Sequence, residues 1–161
     1  MHPRAEALVR RLCLEPHPEG GFYREVFRSA LRVQTEDARP PRSALTVIYF
    51  LLVDGGCSRW HRVASDEAWS WVEGDALELL RIDAGLATFT REPLGAPADG
   101  REAAAVIPAG DWQAARTTGA YTLVTCAVGP GFDFADFTML SELPELAAEV
   151  TRRHPGAASL V

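Results

Sequence analysis

Residues 54–91 read DGGCSRWHRVASDEAWSWVEGDALELLRIDAGLATFTR, and this stretch decides the fold. Short runs of apolar and aromatic residues predict strands at Trp60–Val63, Glu67–Val72, Ala76–Ile82 and Leu86–Arg91. Turn residues separate these runs at the spacing of β-hairpins, as DGG at 54–56, EGD at 73–75 and DAG at 83–85. Several short strands joined in this way are typical of an all-β sandwich or barrel.

The same pattern extends to both sides of this stretch. Residues 22–29 alternate in polarity, and the continuous apolar run at 44–53 is typical of a central strand with both faces buried. Further strands are predicted at Ala104–Ile107 and Tyr121–Val128. Strands therefore account for most of the predicted structure.

Helices are predicted only near the two ends of the sequence. An apolar stripe predicts one helix at Pro3–Leu12, and a second stripe predicts another at Ser141–Arg153, with Ser141 as its cap. The fold class is therefore all-β. We expect a single domain over residues 1–161, built as an antiparallel β-barrel of two facing sheets with a short helix at each end.

Composition excludes several classes of chemistry. The 161 residues include no Lys and no Asn, which excludes a Schiff-base lysine, a P-loop lysine and N-glycosylation. A net charge of −6 without a basic block argues against a nucleic-acid partner. The three cysteines lack CxxC spacing, and the apolar run at 44–53 is too short to cross a bilayer. We expect a cytoplasmic protein with free thiols and no membrane partner.

Histidine and carboxylate residues narrow the search for a site. His61 lies in a predicted strand close to Glu67, Trp69 and Trp71, which alternation places on one face of the next strand. A His and a carboxylate in an aromatic-lined cavity form a suitable acid–base pair, because burial and mutual charge both shift their pKa values. The alternative is a core histidine beside a structural ion pair. His17, in a turn between two prolines, is not expected to act as a base.

Two segments resemble the motifs of a known superfamily. GCSRWHRVASDE at 56–67, followed by Gly74, resembles the first cupin motif, and PAGDWQ at 108–113 resembles the second. Over about residues 12–140 the chain is similar to the cupin-5 family of small single-domain proteins. The further segments that carry this likeness are PHPEGGFY at 16–23, IYFLL at 48–52, DEAW at 66–69 and PGFDFADF at 130–137.

The resemblance implies a jelly-roll cupin barrel, close to the sugar-nucleotide epimerases that act on dTDP-4-dehydro-6-deoxyhexoses, and a homodimer. It also implies that the positions of the metal ligands in metal-binding cupins are those of His61, Val63, Glu67 and Gln113. Valine cannot ligate a metal, and a neutral amide is a poorer ligand than imidazole. No cofactor is therefore expected, and any divalent metal would have only His61, Glu67 and Gln113 as ligands.

Metal-free cupins of the epimerase type use a His base and a Tyr acid, so the resemblance assigns the base to His61. Tyr23, Tyr49 and Tyr121 are the available acids, and the sequence leaves open which of them faces the pocket. Tyr49, within the IYFLL segment, joins His61 and Glu67 as a catalytic candidate.

A second group of candidates would bind the ligand. An arginine binds a carboxylate or phosphate, and a tryptophan offers a flat surface to a ring. The ligand-binding candidates are Glu19, Tyr23, Arg28, Ser58, Trp69 and Gln113. The expected ligand is small, polar, and sugar-like or nucleotide-like.

Three functions are compatible with these residues. The first is a metal-independent isomerase or epimerase acting on a sugar or nucleotide-sugar, with His61 as general base. The second is a non-catalytic binder or sensor of a small polar ligand. The third is a metal-dependent cupin enzyme with a reduced ligand set.

Overall fold

The chain folds into two antiparallel β-sheets and flanking helices, in a computed structural model that describes residues 1–98 and 100–161. The helices are α1 (Pro3–Leu12) and α2 (Pro144–Arg153), with short 3₁₀ turns at Phe134–Asp136, Leu140–Glu142 and Pro155–Leu160. The strands are β1 (Glu15–Pro16), β2 (Phe22–Arg28), β3 (Arg32–Val33), β4 (Arg42–Ser43), β5 (Thr46–Val53), β6 (Cys57–Val63), β7 (Asp66–Gly74), β8 (Leu77–Ile82), β9 (Phe89–Leu94), β10 (Ala104–Ile107), β11 (Trp112–Thr117), β12 (Tyr121–Gly129) and β13 (Phe137–Met139).

The strand order confirms the all-β prediction. The larger sheet has the order β1-β2-β5-β12-β7-β10, the smaller sheet has the order β13-β6-β11-β8-β9, and β3 pairs with β4. Within the described residues the two sheets keep separate hydrogen-bond ladders. The architecture is therefore a jelly-roll sandwich rather than a continuously bonded barrel.

Alternation along β5 explains how the larger sheet is packed on both faces. Phe50 and Leu52 point between the sheets, where they join the core that contains Trp69. Leu51 and Tyr49 point the other way, against the apolar face of α1. Burying each large apolar side chain stabilises the fold by about 2 kcal/mol.

The smaller sheet is covered by the C-terminal residues. Trp60 and Trp112 pack against Val150 of α2 and neighbouring apolar side chains. The indole nitrogen of Trp60 donates a hydrogen bond to the carbonyl oxygen of Ala157 at 2.9 Å. Because this donor is buried, the bond fixes the tail on the sheet.

The sequence prediction missed the short strands β1, β3, β4 and β13, and it placed β9 at Leu86–Arg91 rather than Phe89–Leu94. Two further differences concern β11 and the second helix. Strand β11 was not predicted, because its WQAART sequence has little of the β-branched character that marks a strand, although it lies between β6 and β8 in the smaller sheet. The second helix begins at Pro144 rather than Ser141, which lies in the preceding 3₁₀ turn and does not cap the helix. A proline fits the first turn of a helix, where its missing N–H costs nothing.

None of the helices in the described part of the chain combines the length and the apolar character that crossing a bilayer requires.

Candidate functional site

A cavity of about 310 Å³ lies between the larger sheet, β6 and the segments that precede β2 and follow β12. Its walls are apolar where β5 and β12 contribute Ile48, Phe50 and Val128. His61 and Glu67 reach it from β6 and β7. A mostly apolar cavity with a few converging polar groups is the usual form of a ligand site.

The loop at residues 17–21 brings a second carboxyl group into this cavity. Its backbone is bonded to β6, because the N–H of Arg59 donates to the carbonyl oxygen of Glu19 at 2.9 Å. Gly20 has φ of +113°, and a Cβ there would collide with the carbonyl oxygen of Cys57. Only glycine therefore lets the loop lie this close to β6, and Glu19 is carried inward to 5% exposure.

A β-bulge in β6 aligns two polar side chains with that loop. His61 pairs with Gln113 of β11, whereas Ser58 pairs with Ala115, so β6 contains one extra residue between the two pairs. Ser58 and His61 both contact Glu19, while Trp60 between them packs against the C-terminal residues. The bulge thus directs Ser58 and His61 to one carboxyl group.

The contacts of His61 fix its tautomer. Nδ1 lies 2.8 Å from the carbonyl oxygen of Arg59, which can only accept, so Nδ1 carries the proton. Nε2 is therefore unprotonated in the neutral ring and lies 3.2 Å from Oε2 of Glu19. The other carboxyl oxygen of Glu19 accepts from the Ser58 hydroxyl at 2.9 Å.

His17 also belongs to the site, contrary to the expectation from its position between two prolines. Its Nδ1 accepts the backbone N–H of Glu19 at 3.3 Å and lies 3.5 Å from Oε2 of the same residue. Its ring packs edge-on against Tyr23, with centroids 4.5 Å apart. Proline and glycine shape a loop that turns the His17 side chain inward, which a local reading of the turn does not reveal.

Glu67 is held by a second set of buried contacts. The amide nitrogen of Gln113 donates to Oε2 of Glu67 at 2.6 Å, and the amide oxygen of Gln113 accepts the indole N–H of Trp69 at 2.9 Å. The thiol of Cys126 lines the cavity with Glu67 and acts to lower the pKa of this carboxyl group, against the larger effect of burial. Both polar atoms of the Gln113 amide are therefore hydrogen-bonded, and the amide holds the Glu67 carboxyl group in place.

Burial controls the protonation of these groups. It raises the pKa of Glu19 to about 8, although the hydrogen bond from Ser58 acts in the opposite direction. It also raises the pKa of Glu67, although the attraction of His61 opposes this shift. Burial also lowers the pKa of His61, and burial with the nearby His61 lowers the pKa of His17 to about 4. At neutral pH the favoured state is a protonated Glu19 carboxyl directed at an unprotonated imidazole nitrogen.

The structure separates the other sequence-derived candidates into three groups. Tyr23 and Arg28 line the cavity. Ser58, Trp69 and Gln113 are buried behind Glu19 and Glu67 and hold them in place. Tyr49 is not at the site, because alternation on β5 turns it toward α1, and this removes it from the catalytic candidates.

Aromatic residues that the sequence reading did not assign to the site also line the cavity: Phe132, Phe134 and Phe137. The GFDFADF segment contains a signal for this, since aromatic residues alternate with acids at its start.

The donor atoms do not fit the metal of metal-binding cupins. Val63 lines the cavity without a donor atom, and both polar atoms of Gln113 are already bonded to Glu67 and Trp69. In residues 1–98 and 100–161, no three His, Cys, Asp or Glu side chains are arranged to hold a metal ion. We derive no chemical step from a metal.

Comparisons with known proteins agree with this fold. The family described as "Cupin superfamily (DUF985)" matches residues 6–140. A hypothetical protein from Leishmania major is 33% identical, with a TM-score of 0.84, and the match covers 98% of this chain and 96% of that one. A protein from Shewanella oneidensis is 31% identical, with a TM-score of 0.84, over 97% and 95% of the two chains.

More distant structures share the fold alone. Oxalate decarboxylase from Bacillus subtilis is 13% identical, with a TM-score of 0.60, and the match covers 85% of this chain and 33% of that one. Comparison with curated proteins gave no match.

Proposed function

The chain belongs to the cupin superfamily, in the family described as DUF985, and on that basis we propose that its cavity binds a small, polar, sugar-like molecule and isomerises it by proton transfer without a metal. His61 is the general base in this proposal. The reaction class is epimerisation or isomerisation next to a carbonyl group, where a carbon-bound proton is acidic enough for an imidazole to remove.

One observation carries the proposal: the unprotonated Nε2 of His61 lies 3.2 Å from a buried carboxyl oxygen of Glu19. These two atoms share one proton, and the backbone contact of Nδ1 prevents the ring from presenting the wrong nitrogen. A buried carboxyl group that keeps its proton until about pH 8, beside an unprotonated imidazole nitrogen, suits general acid–base catalysis.

The proposed step uses residues on two sides of the cavity. The His61–Glu19 pair accepts the proton from the carbon next to the carbonyl, which leaves an enolate. The Tyr23 hydroxyl then protonates the opposite face of that carbon. The cycle closes when the His61–Glu19 pair releases the abstracted proton to solvent and the Tyr23 phenolate takes one proton from solvent. Inversion of the centre follows because the donor and the acceptor approach from different faces.

Proton exchange in D₂O tests this proposal before the natural substrate is known. We expect the wild-type protein to exchange the proton next to the carbonyl of at least one sugar in a panel of aldoses and ketoses, followed by ¹H NMR. His61→Gln should slow exchange about a hundredfold or more, because general base catalysis contributes factors of this size. Its melting temperature should change by only a few degrees, because functional polar groups seldom stabilise the fold.

Two tyrosine variants form a matched pair for the same assay. Tyr23→Phe should still exchange the carbon-bound proton with D₂O but should no longer invert the configuration of that carbon, because only the acid is removed. Tyr49→Phe should behave as the wild type, because its ring faces α1. Undiminished exchange in His61→Gln would contradict the proposal.

A non-catalytic binder is the second candidate, and the burial of the acid–base groups favours it. His61 is only 2% exposed, which suits retention of a ligand more than rapid turnover. An enzyme and a binder differ in whether the ligand recovered from the protein has been chemically changed. A binder saturates and releases the molecule unchanged, as mass spectrometry of the bound fraction would show.

Elemental analysis addresses the third function, the metal-dependent enzyme. We expect the purified protein to contain well under one transition metal per chain, because Val63 and Gln113 replace imidazole ligands. One metal per chain, lost in His61→Ala, would favour the metal-dependent enzyme instead.

A single domain over 1–161, a homodimer and a cytoplasmic location remain proposals. The homodimer is supported by the edge of β2, where β1 pairs with Phe22 and Tyr23 while Val26 and Phe27 further along are exposed. Unpaired strand edges favour pairing with another chain. Sedimentation at micromolar concentration should show a dimer, and particles of 17.5 kDa alone would contradict it.

A further inference from the structure

The charged side chains around the cavity are predominantly acidic. Two carboxyl groups lie inside it, on Glu19 and Glu67, and two more lie at its mouth, on Glu25 and Asp133. Among the described lining residues, Arg28 is the only Arg or Lys. The lining therefore offers an anionic ligand no excess of positive charge.

Arg28 does not compensate for this imbalance, because its guanidinium group is already bonded. Nε and Nη2 donate to the two carboxyl oxygens of Glu25 at 3.0 and 2.7 Å, and Nη1 donates to the carbonyl oxygen of Phe132 at 3.1 Å. A phosphate or carboxylate would have to break this bidentate pair to reach Arg28.

Aromatic rings form another part of the cavity wall, next to His17 and His61. Phe132, Phe134 and Phe137 contact one another, with ring centroids 5.0 to 6.1 Å apart. His17 stacks on Phe134 at 6.3 Å, and His61 stacks on Phe137 at 5.3 Å. The faces of phenylalanine rings attract cations, and their apolar surface also accepts the C–H face of a ring.

We propose that the ligand of this cavity is an amino sugar, a sugar-sized ring that carries a protonated amine, and that phosphorylated and nucleotide-linked sugars are rejected. This inference rests on the proposed function and specifies its substrate class. The ammonium group donates hydrogen bonds to the Glu19 and Glu67 carboxyl oxygens, and the phenylalanine rings contact its charged and apolar parts.

Binding of such a cation has a measurable consequence for protons. Glu19 is faced by Ser58, His61 and His17, and Glu67 is faced by Gln113, Cys126 and His61, so neither carboxyl has a permanent cation beside it. An ammonium ion stabilises the ionised carboxylate, and the proton of that carboxyl is released to solvent on binding.

Isothermal titration calorimetry on the full chain tests the charge preference with three probes of similar size. At mildly acidic pH we expect glucosamine to bind about tenfold or more tightly than glucose, and glucose 1-phosphate to bind most weakly. Titrations of glucosamine in two buffers of different ionisation enthalpy should reveal release of a proton, whereas glucose should release none.

Two variants separate charge recognition from general damage to the cavity. Phe134 is 55% exposed, so Phe134→Leu should fold normally, keep an apolar surface, and lose more affinity for glucosamine than for glucose. Glu67→Gln should likewise lower the affinity for glucosamine more than that for glucose, and it should reduce proton release on glucosamine binding.

Several outcomes would overturn the inference, and they differ from failure of the proposed function. Equal affinity for glucose and glucosamine, tighter binding of the phosphate, or binding of none of the three would overturn the amino-sugar assignment. A preference for glucosamine that survives both variants would also overturn it. The exchange assay with His61→Gln would still decide the acid–base function separately.

Discussion

Asp136 and Glu19 are both acids with almost completely covered side chains, but the protein surrounds them differently. Arg42 donates to both carboxyl oxygens of Asp136 at 2.8 Å, and Arg39 donates to one of them at 2.9 Å. The bonds from Arg42, and then that from Arg39, hold the pKa of Asp136 below its ordinary value. In the described part of the chain the Glu19 carboxyl contacts a hydroxyl and two imidazoles, and burial raises its pKa to about 8.

The difference assigns different roles to the two acids. The Asp136 cluster joins the segment before β13 to the residues around β4, and its charges are matched, as is usual in structural ion pairs. Glu19 gains no such compensation, and the fold retains a carboxyl group whose ionisation is unfavourable. Groups in this condition are concentrated at functional sites, because a shifted pKa is useful in catalysis or binding.

The largest expected effect on stability is that of removing the charge of Asp136. Asp136→Asn leaves the buried Arg42 guanidinium without its anion, and we expect the melting temperature to fall by about 10 °C. Arg39 loses one of two anions, because it still pairs with Asp37 at 2.7 Å. Asp133→Asn is the control, since Asp133 is exposed and accepts only the N–H of Ala135. Similar melting temperatures for both variants in differential scanning calorimetry would show that Asp136 has no special structural role.

A smaller, pH-dependent effect of opposite sign is expected for Glu19→Gln. The unfolded carboxyl loses its proton near pH 4.5, whereas the folded one keeps it until about pH 8. Folded-state stability therefore falls with rising pH between these values, by at most about 1.4 kcal/mol per pH unit. Glu19→Gln removes this loss, so its stability relative to the wild type should increase with pH in urea unfolding.

Glu73→Gln provides the matched control for that pH series. Hydrogen bonding to Arg4 lowers the pKa of Glu73, so this carboxylate stabilises the folded state at neutral pH and loses its effect as the pH falls. The variant should be less stable than the wild type at neutral pH and approach it in acid. Parallel pH trends for the two variants would contradict the distinction between them.

The smallest expected effect concerns the hydrogen bond from Trp69 to Gln113, the residue that orients Glu67. Trp69→Phe leaves the buried amide oxygen of Gln113 without its donor, which costs about 1–3 kcal/mol in the free energy of unfolding. Trp71→Phe removes a longer bond to Asp75 near solvent, at 3.3 Å, and should cost less. Equal costs in urea unfolding would mean that the Gln113 bond adds nothing.

The sequence predicted the parts of this fold that depend on local pattern. The continuous apolar run at 44–53 located the strand at Thr46–Val53, and an apolar stripe located the helix at Pro3–Leu12. The likeness to cupins named His61 and Glu67, which both line the cavity. The likeness to the second cupin motif also named Gln113, which pairs with His61 between β11 and β6.

The remaining parts depend on contacts between distant segments. His17 and Glu19 reach the cavity only because Gly20 allows their loop to lie against β6, and Ser58 faces Glu19 only because of a bulge. Tyr49 could not be assigned to a face from the apolar run at 44–53, because both sides of that strand are covered by apolar partners. Local periodicity contains neither kind of information.

Direct titration of Glu19 tests the acid–base interpretation of the cavity most directly. In protein labelled with ¹³C at the glutamate carboxyl carbons, we expect one resonance to titrate near pH 8 and to be absent from the spectrum of Glu19→Gln. That result would show a carboxyl group that keeps its proton at neutral pH beside the imidazole of His61. If the resonance lost in Glu19→Gln instead titrates near pH 4.5, Glu19 is an ordinary ionised carboxylate paired with His61, and the proposed proton-sharing site is wrong.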